Sequence, residues 1–200
     1  MNLEKIFKNK KIIVTGHTGF KGSWLTLWLT KLGANVLGIS KDIPTKPSHF
    51  DSLNLKKKIK HKQISINNYK KIEKIFKEFQ PSFVFHLAAQ SLVSKSYEEP
   101  IETFNTNSIG TLNILESLKQ IKKKCFVIFV TSDKVYKNVE KVKGYKEDDV
   151  LGGKDPYSGS KAAAENIINS FIHSYYNKPS SKILISIARA GNVIGGGDWS

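Results

Sequence analysis

One stretch constrains the fold more than any other: Lys11-Ile12-Ile13-Val14-Thr15-Gly16-His17-Thr18-Gly19-Phe20-Lys21-Gly22-Ser23-Trp24-Leu25. Its first five residues, rich in β-branched side chains, read as a buried strand, and the residues from Trp24 to Leu29 read as a helix. Gly16, Gly19 and Gly22 stand three apart where the strand must turn directly into that helix. The first glycine permits a tight turn, the second lets backbone N–H groups approach a pyrophosphate, and the third lets the helix pack closely. Three glycines near a turn can serve the turn alone. It is the strand-to-helix setting that points to a dinucleotide cradle, with Thr18 and Phe20 inside it and Lys21 facing either the phosphates or water.

The rest of the chain repeats the alternation. Further strands are expected at 35–40, 82–87, 126–131 and 183–188, and further helices at 69–79, 100–122 and 156–176. Parallel strands with crossover helices on both faces follow, which is the doubly wound α/β architecture, a Rossmann-type parallel sheet. Residues 41–62 are irregular and basic, and read as a long mobile loop with a weak helix. No repeat or linker divides the 200 residues, so 1–200 reads as one domain. Trp24 and Trp28 are expected to pack beneath the sheet, although Ser23 and Trp24 come early enough to touch a ligand in the glycine loop.

A hydrophobic content of 40% with 6 prolines and 14 glycines supports a packed core. The formal charge of +15 invites a nucleic-acid reading, yet Arg189 is the one arginine among 32 Lys and Arg side chains. Readers of nucleic acid favour arginine with interleaved aromatics, and the run Lys56-Lys57-Lys58-Ile59-Lys60-His61-Lys62 has neither. A basic surface that draws in anionic small molecules is expected instead. No apolar run approaches the ~20 residues of a membrane span, and Met1-Asn2-Leu3-Glu4-Lys5 is no signal peptide, so no membrane partner and a cytoplasmic location are expected. Cys125, in an apolar run, reads as a buried inert thiol. His17, His49, His61, His86 and His173 lack metal-ligand spacing, and no metal is expected.

Asp42 lies about 20 residues beyond Gly22, where an acidic side chain accepts from an adenosine ribose and repels a 2′-phosphate. That favours NAD, with Ser40 and Lys41 as rival ribose contacts, Lys41 softening the discrimination, and an ordinary loop carboxylate as the plain alternative. Tyr157 and Lys161 stand four apart in Asp155-Pro156-Tyr157-Ser158-Gly159-Ser160-Lys161, on one face of a helix. The ammonium can there lower the phenol pKa and reach a nicotinamide ribose, making the tyrosine a general base for a sugar hydroxyl. Thr131-Ser132-Asp133-Lys134 ends a buried strand, where such folds bind ligands.

Gly16/Gly19/Gly22, His86-Leu87-Ala88-Ala89-Gln90, Asn107, Ser132 and Tyr157/Lys161 together resemble the extended short-chain dehydrogenases/reductases that act on nucleotide sugars. Gly152-Gly153-Lys154-Asp155-Pro156-Tyr157-Ser158 and Arg189-Ala190-Gly191-Asn192-Val193-Ile194-Gly195-Gly196-Gly197-Asp198-Trp199 narrow the resemblance to the 4,6-dehydratases of that group. The resemblance implies a tightly held NAD and conversion of CDP-D-glucose to CDP-4-keto-6-deoxy-D-glucose, a precursor of deoxy sugars in bacterial surface polysaccharides. It also implies cofactor contacts from Ser65, Ile66, Ala88, Ala89 and Asn107, and substrate contacts from Gln90, Ser132 and Asn192. A 4-epimerase is the alternative, sharing Ser132, Tyr157 and Lys161 but needing no pair for loss of water.

Two departures from neighbouring families matter. Where other dehydratases carry Thr-Asp-Glu, this chain has Ser132-Asp133-Lys134, so Lys134 is expected as the base of elimination and Asp133 as its acid. A dry pocket would raise the Asp133 pKa and lower that of Lys134, unless the two simply form an ion pair. A usual adenine-binding Asp is replaced within Ile64-Ser65-Ile66-Asn67-Asn68, leaving Ser65 as a weaker hydrogen-bonding group. Family members continue for roughly another ~100 to 200 residues as a substrate lobe. The chain as given is therefore expected to bind cofactor without turning over the sugar nucleotide. Apolar residues beyond one face of the helices at 100–122 and 156–176, among them Phe104, Ile109, Ala163, Ile167 and Phe171, suggest a homodimer paired through those helices, as in the resembling family.

Overall fold

The computed structural model describes residues 2–199. Strands β1 (Lys11–Thr15), β2 (Asn35–Ser40), β3 (Lys60–Gln63), β4 (Phe83–His86), β5 (Cys125–Val130) and β6 (Ile183–Ala188) form one sheet in the order β3-β2-β1-β4-β5-β6. Every neighbouring pair is parallel. This is the Rossmann order, in which the winding reverses between β1 and β4 and opens a crevice at the carboxyl ends of those strands. The helices are α1 (Leu3–Phe7), α2 (Phe20–Lys31), α3 (His49–Ser52), α4 (Tyr69–Phe79), α5 (Val93–Glu98), α6 (Pro100–Phe104), α7 (Gly110–Leu118) and α8 (Pro156–Phe171).

The strands read as nearly continuous apolar runs because helices cover both faces of the sheet. Alternation within β1 sends Ile12 and Val14 into a cluster with Leu29 and Val36. Ile13 faces the opposite cluster, with Val84, Val127 and Phe129 of the sheet and Ile72, Phe76, Ile114 and Leu118 of α4 and α7. α4 forms because Asn68 caps it, accepting from Lys71 N–H at 3.2 Å, and because Ile72, Phe76 and Phe79 recur on one face. Cys125 is buried in the same cluster, and burial pushes its thiol up to about 12.

Three expectations need correction. Residues 41–62 are not a mobile loop: they hold α3, a 3₁₀ turn at Leu55–Lys57 and the edge strand β3. The β3 sequence Lys-His-Lys-Gln has no apolar residue to betray a strand, because it pairs on one side with β2 and shows lysines to solvent on its free edge. The helix expected at 100–122 is α6 and α7 joined through a π turn at Asn105–Ile109. Trp24 and Trp28 do not lie in the core but are 45% and 55% exposed. α2 turns its small residues Gly22, Ser23 and Thr26, with Leu29, toward the sheet, and this close packing leaves the tryptophans on the outer face.

Candidate active site

A cavity of about 760 Å³ opens at the carboxyl ends of β1, β2, β4 and β5, astride the reversal of winding. Its floor is the glycine loop. Gly16 adopts φ +74, and a Cβ there would lie 2.7 Å from Ala88 N. A Cβ on Gly22 would lie 2.0 Å from the Gly16 carbonyl oxygen, so α2 reaches the strand only because residue 22 has no side chain. Gly19 caps α2 without a side-chain hydrogen bond, and the first amides of the helix are left to face the cavity. Thr18, Phe20 and Lys21 line it.

Two histidines brace this floor without lining it. Thr15 Oγ1 accepts from Leu87 N–H and Ala88 N–H, each at 3.2 Å, and donates to His86 Nδ1 at 2.7 Å. The Thr111 hydroxyl is committed as donor to Asn107 O, so His86 Nε2 is the donor to Thr111 Oγ1 at 3.2 Å. Burial, assisted by the Lys161 charge, holds His86 at about 3, and its ring is neutral. His17 is also buried; it contacts His61 Nδ1 through Nε2 at 2.7 Å and Ser40 Oγ through Nδ1 at 3.0 Å. Burial lowers it to about 4, the Ile39 carbonyl working against the fall and His61 with it.

The opposite wall begins where β5 ends. Thr131 N–H donates to Ala188 O at 2.9 Å and Asp133 N–H to Ala190 O at 3.1 Å, so the β6 side carries the chain into a 3₁₀ turn, Asp133–Val135. Ser132 Oγ accepts from Lys134 N–H at 3.2 Å and donates to Asp133 Oδ1 at 3.0 Å. Asp155 caps α8, accepting from Ser158 N–H at 2.9 Å and Ser158 Oγ at 2.6 Å. This places Tyr157 in the first turn and Lys161 one turn on, both buried and both lining the cavity with Ser132 and Lys134.

The electrostatics differ from expectation at both pairs. Burial pushes the Tyr157 phenol above its ordinary value; the Ser132 hydroxyl opposes the rise, and Asp133 and Asp155 add to it. Lys161 is not among the causes, so the expected lowering of the phenol by the lysine is not found. Lys161 itself falls to about 8, through burial and Lys21 against the attraction of Glu165, and its Nζ donates to Val130 O at 3.4 Å. Asp133 and Lys134 are not in a dry pocket: both are exposed on a turn whose buried residue is Val135. Among the described residues no ion pair joins them.

Asp42, Ser65, Ile66, Ala88, Ala89 and Asn192 line the cavity. Asn107, Gln90 and Asp133 do not. Asn107 is buried under the β4 loop, accepting from Gln90 N–H at 2.8 Å and donating to Gln90 O and Ser160 Oγ. The Gln90 side chain closes on its own loop at Leu92 and on α6 at Thr103. Glu165 was not anticipated, though its i+4 spacing from Lys161 repeats the step from Tyr157 to Lys161 and marks one helix face. It is fully buried, accepts from Thr131 Oγ1 at 2.6 Å and is gripped by Arg189 Nε and Nη2 at 3.0 and 2.6 Å. Arg189 also lies over the Tyr136 ring and donates to Glu147 O, tying residues 136–147 to the site. Among the described residues no three His, Cys, Asp or Glu side chains gather as a metal site requires, and no helix is long and apolar enough to cross a membrane.

A family model described as GDP-mannose 4,6 dehydratase matches residues 13–187. Over 200 residues the chain is 46% identical to CDP-glucose 4,6-dehydratase of Salmonella typhimurium, covering 98% of this chain and 56% of that one. Its fold is similar to UDP-glucose 4-epimerase of Thermotoga maritima solved with UDP-glucose, at TM-score 0.76 and 29% identity, over 90% of this chain and 54% of that one. It is also similar to UDP-glucose 4-epimerase of Thermus thermophilus in complex with NAD, at TM-score 0.72 and 29% identity, over 82% of this chain and 51% of that one. The chain spans about half the length of these relatives. Matched across most of its strands and helices, it belongs to the GDP-mannose 4,6-dehydratase family of nucleotide-sugar enzymes, of the short-chain dehydrogenase/reductase type.

Proposed function

We propose that residues 1–200 form the NAD-binding and catalytic domain of a nucleotide-sugar 4,6-dehydratase converting CDP-D-glucose to CDP-4-keto-6-deoxy-D-glucose and water. The observation that carries this reading is the meeting of Ser132 and Lys134 with Tyr157 and Lys161 on one cavity wall. An alcohol oxidised there has beside it a group able to remove the neighbouring proton, which elimination needs and 4-epimerisation does not. The 46% identity to a CDP-glucose 4,6-dehydratase supports the nucleotide and the sugar, and the relative solved with NAD supports the cofactor.

The cavity fits a dinucleotide, because the missing side chains at Gly16 and Gly22 draw the loop tight and leave amides facing inward. The amides of residues 20–22 would hold the pyrophosphate, Ser40 or Asp42 the adenosine ribose, Ser65 and Ile66 the adenine, and Tyr157 and Lys161 the nicotinamide ribose. When bound, NAD would supply the acceptor for the hydride from carbon 4 of the sugar and, once reduced, the donor of the hydride that carbon 6 receives. Tyr157 takes the proton of the 4-hydroxyl, and Ser132 hydrogen-bonds the same oxygen. The new ketone makes the carbon 5 proton acidic; Lys134 removes it while Asp133 donates a proton to the departing 6-hydroxyl, which leaves as water. Both groups are exposed without substrate, so the sugar itself must exclude water from them. Asn192, on the same cavity, would orient the sugar nucleotide.

Supplying the full-length enzyme with CDP-glucose deuterated at carbon 4 and examining the product by NMR tests the reading. Deuterium is expected at carbon 6 of a 4-keto-6-deoxy sugar. CDP-galactose with its 6-hydroxyl intact would overturn the dehydratase in favour of the epimerase. A homodimer belongs to the same proposal: Ile101, Phe104 and Ile109 are exposed along α6 and the π turn, with Tyr97 beside them. Sedimentation as a clean monomer at micromolar concentration would remove it.

A further inference from the structure

The turn after β2 sets the charge at one corner of the cavity. Lys41 and Asp42 both line the cavity there. Their backbone is fixed: Thr18 Oγ1 donates to Asp42 O at 2.7 Å and Thr18 N–H to Ser40 Oγ at 3.4 Å, which ties the turn to the glycine loop. What remains free to move is the lysine's flexible stem. It runs to α6, where Nζ meets Glu102 Oε1 at 3.1 Å. The same carboxylate oxygen accepts from Thr106 Oγ1 at 3.0 Å, and Thr106 itself lines the cavity, so Glu102 is anchored from both sides. Partial burial pushes the Glu102 carboxyl up, but the Lys41 and Thr106 hydrogen bonds outweigh it and hold the group ionised.

We propose that Glu102, by holding Lys41 in this ion pair, is a specificity-determining residue that makes the cavity prefer a dinucleotide with a free adenosine 2′-hydroxyl over one with a 2′-phosphate. The inference rests on the reading of the cavity as an NAD site. Asp42 lines the cavity beside Lys41, and the Lys41 ammonium is already occupied by Glu102. A lysine is a compact charge with three donors and would otherwise suit a phosphate arriving at the end of β2. The pair is partly exposed and contributes little to stability, so its consequence lies in where it holds the charge. Lys41 thus does not soften the discrimination while Glu102 is present.

Calorimetric titration of NAD and NADP into the parent chain, Glu102→Gln and the double variant Glu102→Gln/Lys41→Ala, at low ionic strength, tests this. The parent is expected to bind NAD more tightly than NADP. Glu102→Gln should tighten NADP by ~10-fold while moving NAD by less than ~2-fold, as follows from freeing one charge near a phosphate. The double variant should lose that gain, and melting temperatures close to the parent's establish that both variants are folded. An unchanged NADP-to-NAD ratio in Glu102→Gln, or a gain that survives the loss of Lys41, overturns the inference and leaves the NAD site standing. A parent chain that binds neither dinucleotide overturns the NAD site and this inference together.

Discussion

Around the glycine loop the cavity wall is backbone, whereas around Ser132, Asp133 and Lys134 it is side chain. At the first end, Gly22 and Gly16 approach so closely that a single methyl group has nowhere to go. At the second, the turn is pinned through Asp133 N–H and the buried Thr131–Glu165–Arg189 chain, while the Asp133 and Lys134 side chains stand in solvent. A site made of amides is finished once the chain folds. A site made of ionisable side chains has the right residues in place but takes its protonation from whatever surrounds them.

The comparison breaks most visibly at Arg189. Arg189→Leu leaves a fully buried Glu165 without its cation and should cost ~3–5 kcal/mol in urea denaturation. A loss under ~1 kcal/mol would mean that the charge chain does not hold this end of the cavity. Next comes a pair of glycine variants. Gly22→Ala should cost ~2–3 kcal/mol and abolish NAD binding, because its Cβ collides with backbone that cannot yield. Gly19→Ala meets the Gly16 oxygen at an ordinary 3.5 Å and should keep the stability while weakening NAD. Equal melting temperatures for the two variants would refute the close-approach account.

Lys161→Met sharpens the contrast from the other side, since it removes a buried ammonium. With the folded pKa at about 8 against an ordinary 10.5, the unfolded chain holds the proton more tightly. The parent's stability should therefore rise as pH goes from about 8 to 10.5, while at pH 7 the whole cost of the buried charge is present. The variant should be ~1–3 kcal/mol more stable than the parent at pH 7, and the gap should narrow at pH 10. A gap that widens would place the ammonium in a favourable site. The smallest stability effect is expected for Asp133→Asn, within ~0.5 kcal/mol because the side chain is exposed. In the full-length enzyme the same change should halt the proposed dehydration, so a melt of this chain and a product assay on the full-length enzyme separate structure from chemistry.

Much of this was legible in the sequence because its causes are local. The Gly16/Gly19/Gly22 junction, the apolar runs of β1, β2, β5 and β6, the cap at Asp155 and the four-residue step from Tyr157 to Lys161 each lie within a few turns of chain. β3 was hidden because an edge strand needs no apolar alternation. The exposure of Trp24 and Trp28 was hidden because α2 is apolar on more than one face, and the face that packs is chosen by the closeness of Gly22 to Gly16.

What the chain's local patterns settled is the alternation of β1, β2, β4, β5 and β6 with helices, the Rossmann-type sheet, the glycine cradle and the residue types on the wall proposed as catalytic, since periodicity and turn chemistry act over short separations. The tertiary structure alone decided the rest. It raised Tyr157 by burying the phenol, with Asp133 and Asp155 adding to the rise, lowered Lys161 by burying the ammonium, with Lys21 adding to the fall, and left Lys134 in solvent. It also joined Lys41 to Glu102 and Arg189 to Glu165 across separations that no local pattern spans. The physical reason is that a charge responds to burial and to the charges around it, and both are properties of the folded neighbourhood.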